Sequence, residues 1–228
     1  MSRPDWPHQV FAVQEVERRI AEGEKTICLT SVTGSGKSVM IQRLLENAVN
    51  RGQQAVVLTN RKLLTSQLSR GLHESGVHLG VRAATFESWT DVTAPVQVCS
   101  APTETARVFK RRERAIQRLS SEEDAHRDHS LFPAQLVIVD ECHMQKGDST
   151  VAILNEYKEK YGAVIVGVTA TPLGVSHIYD DLVIACNTSQ ARACGALVPA
   201  YCYEPASFDI WKIRRTKSGV YSQQELED

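Results

Sequence analysis

The chain has 228 residues, of which 42% are hydrophobic and 23% charged, a composition typical of a globular protein that can bury a full core. Its formal net charge of −1 gives no overall basic signature, so any nucleic-acid-binding surface must be local. No apolar run approaches the ~20 residues that a membrane span needs, and the first residues lack the apolar core of a signal peptide. We therefore expect a cytoplasmic protein with no membrane partner.

Short apolar runs alternate with helical stretches along the chain. Five runs rich in β-branched residues predict strands at 26–31, 55–59, 96–100, 135–140 and 163–169. Helices are predicted between them at 37–49, 62–73 and 149–161. The strand runs show no polar alternation, as expected where both faces of a sheet are covered. The pattern predicts an α/β fold, with a parallel sheet and helices on each side.

Two polar regions interrupt this pattern. Residues 107–118 carry six basic residues against one acidic residue at helical density. Such a segment is either a solvated helix face or a contact for nucleic acid, and the sequence leaves both interpretations open. The stretch at 206–228 is polar and typical of a linker, so we expect one domain over 1–205 followed by a linker over 206–228.

The glycine-rich sequence SVTGSGKS at 31–38 follows the first predicted strand and precedes the first predicted helix. In that context backbone N–H groups and the positive end of the helix dipole bind phosphate. Gly34 and Gly36 would allow the tight turn. Lys37 would contact the β- and γ-phosphates, and Ser38 would ligate Mg²⁺. The first position is serine where the general phosphate-loop pattern has glycine; serine is also small, so we expect an intact loop.

The sequence VIVDE at 137–141 supplies two carboxylates at the end of a buried strand. Asp140 would lie beside the Mg²⁺, and Glu141 would activate the attacking water. The alternative is a strand that runs into an acidic turn without function. A phosphate loop upstream, at the spacing of successive strands, argues against that alternative.

The sequence DECH at 140–143 resembles the DExH box of superfamily 2 helicases and translocases. SVTGSGKS likewise resembles the first motif of that family, A-x-x-G-x-G-K-[ST]. The resemblance covers roughly 3–205 and extends to phage and restriction-type (ResIII-like) helicases. It implies the first RecA-like P-loop NTPase lobe, with a mostly parallel sheet and helices on both faces. It also implies ATP and Mg²⁺ as cofactors, and a bacterial or phage-infected cell as the location.

The resemblance assigns roles to single residues through further motifs, among them RPDWPHQ, VVLTNRKLLTSQ and VGVTATP. The catalytic residues it implies are Lys37, Asp140 and Glu141. The metal ligands are Ser38 and Asp140. The nucleotide-binding residues are Gln9, Thr33, Gly34, Ser35, Gly36, Lys37 and Ser38. The residues that couple the nucleotide to nucleic acid are His143, Thr169 and Thr171. The nucleic-acid contacts are Thr59, Asn60, Arg61, Gln67, Thr85, Ser100 and Thr103.

The function that the resemblance implies is the ATP-binding lobe of a nucleic-acid-dependent ATPase, a DNA helicase or translocase, with DNA favoured over RNA. Relatives close the ATP site with a second RecA-like lobe that carries arginine fingers. We expect that lobe in the same full-length polypeptide and only weak hydrolysis by this lobe alone. Two alternatives remain open: a nucleic-acid-binding module with a vestigial ATP site, and a P-loop NTPase that does not act on nucleic acid.

Overall fold

The computed structural model describes residues 5–60, 62–83, 91–111 and 131–199, without the side chains of 62–64, 110 and 111. The chain divides into two units, Met1–Leu197 and Val198–Asp228, and nearly all described residues belong to the first. The predicted linker and most of the basic segment 107–118 lie outside the described residues.

Seven strands form one parallel sheet in the described part of the chain. They are β1 Thr26–Ser31, β2 Ala55–Thr59, β3 Leu79–Arg82, β4 Val96–Ser100, β5 Leu136–Asp140, β6 Val164–Thr169 and β7 Asp181–Cys186. Their order across the sheet is β3-β4-β2-β5-β6-β1-β7. The five predicted strands are confirmed with ends within one residue, and the parallel arrangement is confirmed as well.

Helices connect the strands. They are α1 Pro7–Ala21, α2 Lys37–Asn50, α3 Lys62–Glu74, α4 Ala101–Thr105, α5 Asp148–Tyr161 and α6 Thr188–Ala193. Helix α4 continues with π-helical spacing over Ala106–Arg111, and a short 3₁₀ turn covers Cys142–Met144. The predicted helices α2, α3 and α5 are confirmed with ends within one residue, whereas α1, α4 and α6 were not predicted. None of the described helices has both the length and the apolar character of a membrane span.

The sheet separates two hydrophobic clusters because successive residues of a strand point to opposite faces. In β2, Val57 belongs to the cluster that packs against α1, α2 and α3. Its neighbour Val56 belongs to the cluster on the other face, which includes Ile153 and Tyr157 of α5. All four side chains are fully buried. Coverage of both faces explains why the strand sequences are continuously apolar.

The two strands that were not predicted lie at the two edges of the sheet. Strand β7 has an alternating pattern, with Val183 buried but Leu182 and Ile184 about half exposed. Strand β3 is four residues long and contains Gly80, where a Cβ atom would lie 2.0 Å from the backbone oxygen of Asp91. Short length, glycine and exposure all weaken the sequence signal of a buried strand.

The register brings the carboxyl ends of three central strands level with one another. Thr30 of β1 pairs with Thr169 of β6, and Asp140 of β5 pairs with Val168 of β6. Ser31, at the end of β1, leads directly into the glycine-rich loop. The loop, Asp140 at the end of β5 and Glu141 directly after it therefore meet at one edge of the sheet, where open α/β sheets bind ligands.

Candidate functional site

The glycine-rich loop links β1 to α2 through two residues with left-handed backbone. Gly34 has φ +83° and Gly36 has φ +81°, conformations that a side chain rarely allows. Helix α2 begins at Lys37, immediately after Gly36. The loop therefore places its residues at the amino end of a 14-residue helix, where free N–H groups and the helix dipole favour an anion.

A chain of buried hydroxyl groups supports the loop from inside. The Ser35 hydroxyl donates to the backbone oxygen of Val32 at 2.6 Å, and the Ser31 hydroxyl lies 2.6 Å from Ser35 Oγ. Since Ser35 gives its one proton to Val32, the Ser31 hydroxyl must be the donor to Ser35. Ser31 is 1% exposed and also lies 3.5 Å from Cys186 Sγ. Serine at the first loop position thus adds a hydrogen bond that glycine could not make.

Helix α1 holds the loop from the other side. His8 Nε2 and Gln9 Nε2 both contact the backbone oxygen of Ser35, at 2.9 and 3.0 Å. Because that oxygen can only accept, His8 must carry a proton on Nε2. Gln9 Oε1 accepts from the Trp6 backbone N–H at 2.9 Å, so the Gln9 side chain is fixed at both ends. The predicted nucleotide contact Gln9 is therefore bonded to the loop, and a Cβ on Gly36 would lie 2.2 Å from its Nε2.

Glu141 adopts a strained backbone conformation directly opposite the loop. Its φ of +48° is the only positive φ of a non-glycine residue among the described positions. Such conformations cost about 1–3 kcal/mol and concentrate at functional sites. Glu141 Oε1 lies 4.0 Å from Lys37 Nζ, and both side chains are mostly shielded from solvent. The structure therefore brings together the lysine and the carboxylate that the sequence assigned to catalysis.

Asp140 is a buried carboxyl group at the end of β5. Burial, together with the charge of Glu141, raises its pKa from 3.8 to about 6. The Glu141 N–H donates to Asp140 Oδ1 at 3.1 Å and partly offsets that effect. Asp140 and Ser38 line the same cavity of about 290 Å³. A carboxylate and a hydroxyl are hard oxygen ligands of the kind that Mg²⁺ prefers, so these two side chains fit the predicted metal.

A short path of polar contacts leads from Glu141 to strand β6. His143 Nδ1 lies 3.5 Å from Glu141 Oε2 and 2.7 Å from Thr169 Oγ1. Thr169 Oγ1 also accepts from the backbone N–H of Thr171 at 3.0 Å. The three residues predicted to couple the nucleotide to nucleic acid are thus connected, in a line that starts at the predicted catalytic carboxylate.

Gln67, a predicted nucleic-acid contact, lines the same cavity as the predicted metal ligands. Its exposed side chain lines the cavity that also contains Ser38 and Asp140, because α3 packs beside α2. The sequence motif places Gln67 on the first turns of α3, but the packing of α3 against α2 decides what its side chain contacts. In this structure the Gln67 side chain lines the cavity of Ser38 and Asp140.

The remaining predicted nucleic-acid contacts differ in exposure. Thr59 is fully buried, and its hydroxyl contacts Thr65 Oγ1 and the Cys99 backbone oxygen. Ser100 is also buried. Asn60 and Thr103 are partly exposed. Thr59 and Ser100 therefore support this edge of the sheet from inside, and Asn60 and Thr103 have accessible surface; Arg61 and Thr85 lie outside the described residues.

A buried ion pair anchors α4, the helix that carries Thr103. Arg82 Nε donates to Glu104 Oε1 at 3.1 Å, and Glu104 is completely buried. Arg107, the first basic residue of the segment 107–118, lies 3.9 Å from the same oxygen. No role was predicted from the sequence for Glu104 or His8. The pairing of Glu104 with Arg82 depends on tertiary packing and leaves no local signal in the sequence. His8 could have been found, because it adjoins Gln9 in the RPDWPHQ motif.

Comparison with known proteins gives a family match over most of the chain. The model of the family ResIII, described as type III restriction enzyme, res subunit, matches residues 5–174. The UvsW helicase from bacteriophage T4 is similar with a TM-score of 0.56 and 16% identity, over 80% of this chain and 60% of that one.

Two further solved structures are similar at the level of fold. The Sulfolobus solfataricus SWI2/SNF2 ATPase core in complex with dsDNA gives a TM-score of 0.55 and 13% identity, over 75% of this chain and 33% of that one. The type ISP restriction-modification enzyme LlaGI, as a nuclease-deletion mutant in complex with a DNA substrate mimic, gives a TM-score of 0.58 and 13% identity. That match covers 86% of this chain and 21% of the LlaGI chain. The chain spans 60% or less of the length of these three structures.

Proposed function

The chain belongs to the ResIII family of helicase-type ATPase lobes, and from that membership we propose that it is the ATP-binding lobe of a nucleic-acid-dependent ATPase, a DNA helicase or translocase. The observation that carries the proposal is the approach of Lys37 Nζ to within 4.0 Å of Glu141 across the glycine-rich loop. A structural loop would not require a lysine and a strained glutamate to face each other at a ligand-binding edge.

Each side chain at this edge has a distinct task in the proposed reaction. The N–H groups at the start of α2 and the Lys37 ammonium would bind the β- and γ-phosphates of ATP. Glu141 would orient the attacking water and accept its proton. Ser38 and Asp140 would hold Mg²⁺, which, when bound, neutralises charge on the phosphate oxygens.

The path from Glu141 through His143 to Thr169 and Thr171 would report the state of the γ-phosphate to the nucleic-acid surface. A conformational signal requires a contact that differs between two states. His143 is suited to this task because it touches both the Glu141 carboxylate and the end of β6. Loss of the γ-phosphate changes the charge beside Glu141, which alters the first of these two contacts.

We favour DNA over RNA as the polymer. Two of the similar structures are described in complex with dsDNA and with a DNA substrate mimic. Partly exposed Asn60 and Thr103 lie at the carboxyl edge of the sheet, where they would contact the polymer. A second RecA-like lobe would complete the ATP site with arginine residues, which are worth about 10³–10⁵ in rate in nucleotide hydrolases. Hydrolysis by this chain alone is therefore expected to be slow.

The test is to measure oligonucleotide binding by fluorescence anisotropy at low salt, with and without a non-hydrolysable ATP analogue and Mg²⁺. The proposal predicts that the analogue changes the oligonucleotide Kd several-fold and that Lys37→Ala abolishes this change. Oligonucleotide binding that ignores the analogue would favour a binding module with a vestigial ATP site. Nucleotide binding without any oligonucleotide binding would favour an NTPase that does not act on nucleic acid.

A further inference from the structure

The turn over 141–145 follows directly on the end of β5 and begins with Glu141. Two backbone hydrogen bonds close its later part. The Met144 N–H donates to the Glu141 oxygen at 2.9 Å, and the Gln145 N–H donates to the Cys142 oxygen at 3.0 Å. Glu141 itself has φ +48° and ψ +51°, and a conformation of this kind persists only where its surroundings determine it. The contacts that fix the peptide bond before Glu141 therefore decide where its carboxylate lies.

The side chain of Gln145 holds that peptide bond. Its Nε2 donates to the backbone oxygen of Asp140 at 2.6 Å, and this oxygen belongs to the peptide group that joins Asp140 to Glu141. The same nitrogen donates to the backbone oxygen of Leu58 at 3.2 Å. Two oxygen acceptors use both N–H groups of the amide, so its orientation is fixed. Gln145 is 4% exposed, so little water competes for these bonds.

Gln145 also continues the pairing of two strands beyond their last residues in register. The last pair between β2 and β5 is Leu58 with Val139, so the described register gives Asp140 no partner on β2. The Gln145 amide bridges this gap, because it binds the oxygens of both Leu58 and Asp140. On its other side Asp140 pairs with Val168 of β6. Asp140 is therefore held from both neighbouring strands, and its link to β2 runs through Gln145.

The two acidic side chains of the proposed site lie on either side of this peptide bond. Asp140, before the bond, lines the cavity that Ser38 also lines. Glu141, after the bond, lies 4.0 Å from Lys37 Nζ. A rotation of the peptide group would move both carboxylates, and a misplacement of about 1 Å can cost about 10²-fold in rate. Gln145 is not one of the described residues that line the cavity of Asp140, so it acts on the site through the backbone.

We propose that Gln145 is a positioning residue of the ATP site, which fixes the Asp140–Glu141 peptide bond so that one carboxylate faces the Mg²⁺ and the other faces Lys37. The inference rests on the proposed function and adds a residue that acts on the site without touching nucleotide or metal. Removal of a group that orients a metal ligand typically changes metal affinity or activity about 10- to 100-fold. A purely structural glutamine would change stability alone.

The test compares Gln145→Met with wild-type protein in calorimetric titrations of a non-hydrolysable ATP analogue, with Mg²⁺ present and with the metal chelated. Methionine keeps the length of the side chain but has no N–H group. We expect Mg²⁺ to tighten analogue binding about 10-fold less in Gln145→Met than in wild type. The Kd without Mg²⁺ is expected to change less than about 3-fold, because Lys37 and the glycine-rich loop are untouched.

Ile165→Val is the matched control for lost stability. Ile165 is fully buried near the start of β6, at the opposite end of that strand from Thr169, and valine removes one carbon from the core. Urea unfolding of both variants measures the loss of stability, and Ile165→Val should keep the full effect of Mg²⁺. Should Gln145→Met fail to fold, Gln145→Asn carries the same prediction, because it shortens the amide by one methylene and draws its nitrogen away from both oxygens.

Three outcomes overturn the inference. An unchanged effect of Mg²⁺ in the Gln145 variant, whatever its loss of stability, would make Gln145 a structural residue and leave the proposed function intact. Equal weakening with and without Mg²⁺ would mean that the substitution disturbs the loop as a whole rather than the two carboxylates. No analogue binding by the wild-type protein would contradict the proposed function itself, and the role of Gln145 with it.

Discussion

His143 Nδ1 lies 2.7 Å from Thr169 Oγ1, and this contact joins the acidic segment after β5 to the end of β6. The same imidazole nitrogen is 3.5 Å from Glu141 Oε2. A single side chain thus contacts both the proposed catalytic carboxylate and the strand that leads to Thr171. This geometry separates two properties that mutation can test independently, nucleotide binding and its coupling to nucleic acid.

The first prediction concerns that coupling. His143→Ala removes the contact with Thr169 but leaves the glycine-rich loop and Lys37 untouched. We expect the Kd for a non-hydrolysable ATP analogue to change less than about 3-fold, because no phosphate contact is lost. The effect of the analogue on oligonucleotide affinity is expected to vanish. Anisotropy titrations with and without the analogue measure both quantities, and coupling that survives in His143→Ala would contradict the assignment.

The second prediction follows from the raised pKa of Asp140. Burial and the nearby Glu141 charge raise it from 3.8 to about 6, so the folded protein binds this proton more tightly than the unfolded chain. Stability therefore falls as pH rises from about 4 to about 6, and the penalty is fully present above that window. Asp140→Asn removes the buried charge. We expect it to raise the melting temperature of the nucleotide-free protein at about pH 7.5 by several degrees.

The size of this effect depends on pH, which supplies its own control. At about pH 4.5 the wild-type carboxyl is mostly protonated in the folded state, so the gain from Asp140→Asn should be small. Thermal melts of both proteins at the two pH values measure the difference. An equal gain at both values would show that the stabilisation does not come from the buried charge. The same variant should lose Mg²⁺-dependent nucleotide binding.

The third prediction concerns the tight approach of α1 to the loop. A Cβ on Gly36 would lie 2.2 Å from Gln9 Nε2, in a backbone with φ +81°. Gly52 has φ +73° and nothing within 4 Å of such a Cβ, so Gly52→Ala isolates the backbone strain, about 1–2 kcal/mol. Gly36→Ala should cost clearly more in urea unfolding and also weaken nucleotide binding. Equal losses in the two variants would contradict the described approach of Gln9.

The sequence predicted the central fold because its strands are covered on both faces. Val56 and Val57 point to opposite clusters, and both are apolar, which makes the strand visible without any alternation. Strand β7 was missed for the opposite reason, since Leu182 and Ile184 are exposed at the edge of the sheet. Strand β3 is only four residues long, too short to give a distinct signal.

The site was predictable where its residues follow strand ends. Asp140 ends β5, Glu141 follows it directly, and Lys37 follows the short loop after β1, so the parallel sheet brings all three to one edge. Gln67 depends instead on how α3 packs beside α2, and its place at the cavity lined by Ser38 and Asp140 could not be read from its motif. The support of Ser35 by His8 likewise spans 27 positions and arises only in the folded chain.

The fourth prediction tests the hydroxyl chain beneath the loop. Ser31→Ala removes the donor to Ser35 but leaves the Ser35 bond to the Val32 oxygen, so we expect a loss of about 0.5–1.5 kcal/mol in unfolding free energy. Ser35→Ala removes both bonds and should lose about twice as much, with a larger drop in nucleotide affinity. Urea denaturation gives the order of the two losses. A Ser31→Ala protein less stable than Ser35→Ala would contradict this arrangement.

The central claim is that the loop and Glu141 form a working ATP site. Calorimetric titration with Mg²⁺ and a non-hydrolysable ATP analogue tests it most directly, with wild-type protein beside Lys37→Ala and Lys25→Ala. Lys25 is exposed and precedes the other end of β1, so its variant controls for the loss of a charge. We predict that Lys37→Ala binds at least about 10-fold more weakly and that Lys25→Ala matches the wild type. Equal affinity in all three proteins would contradict the account.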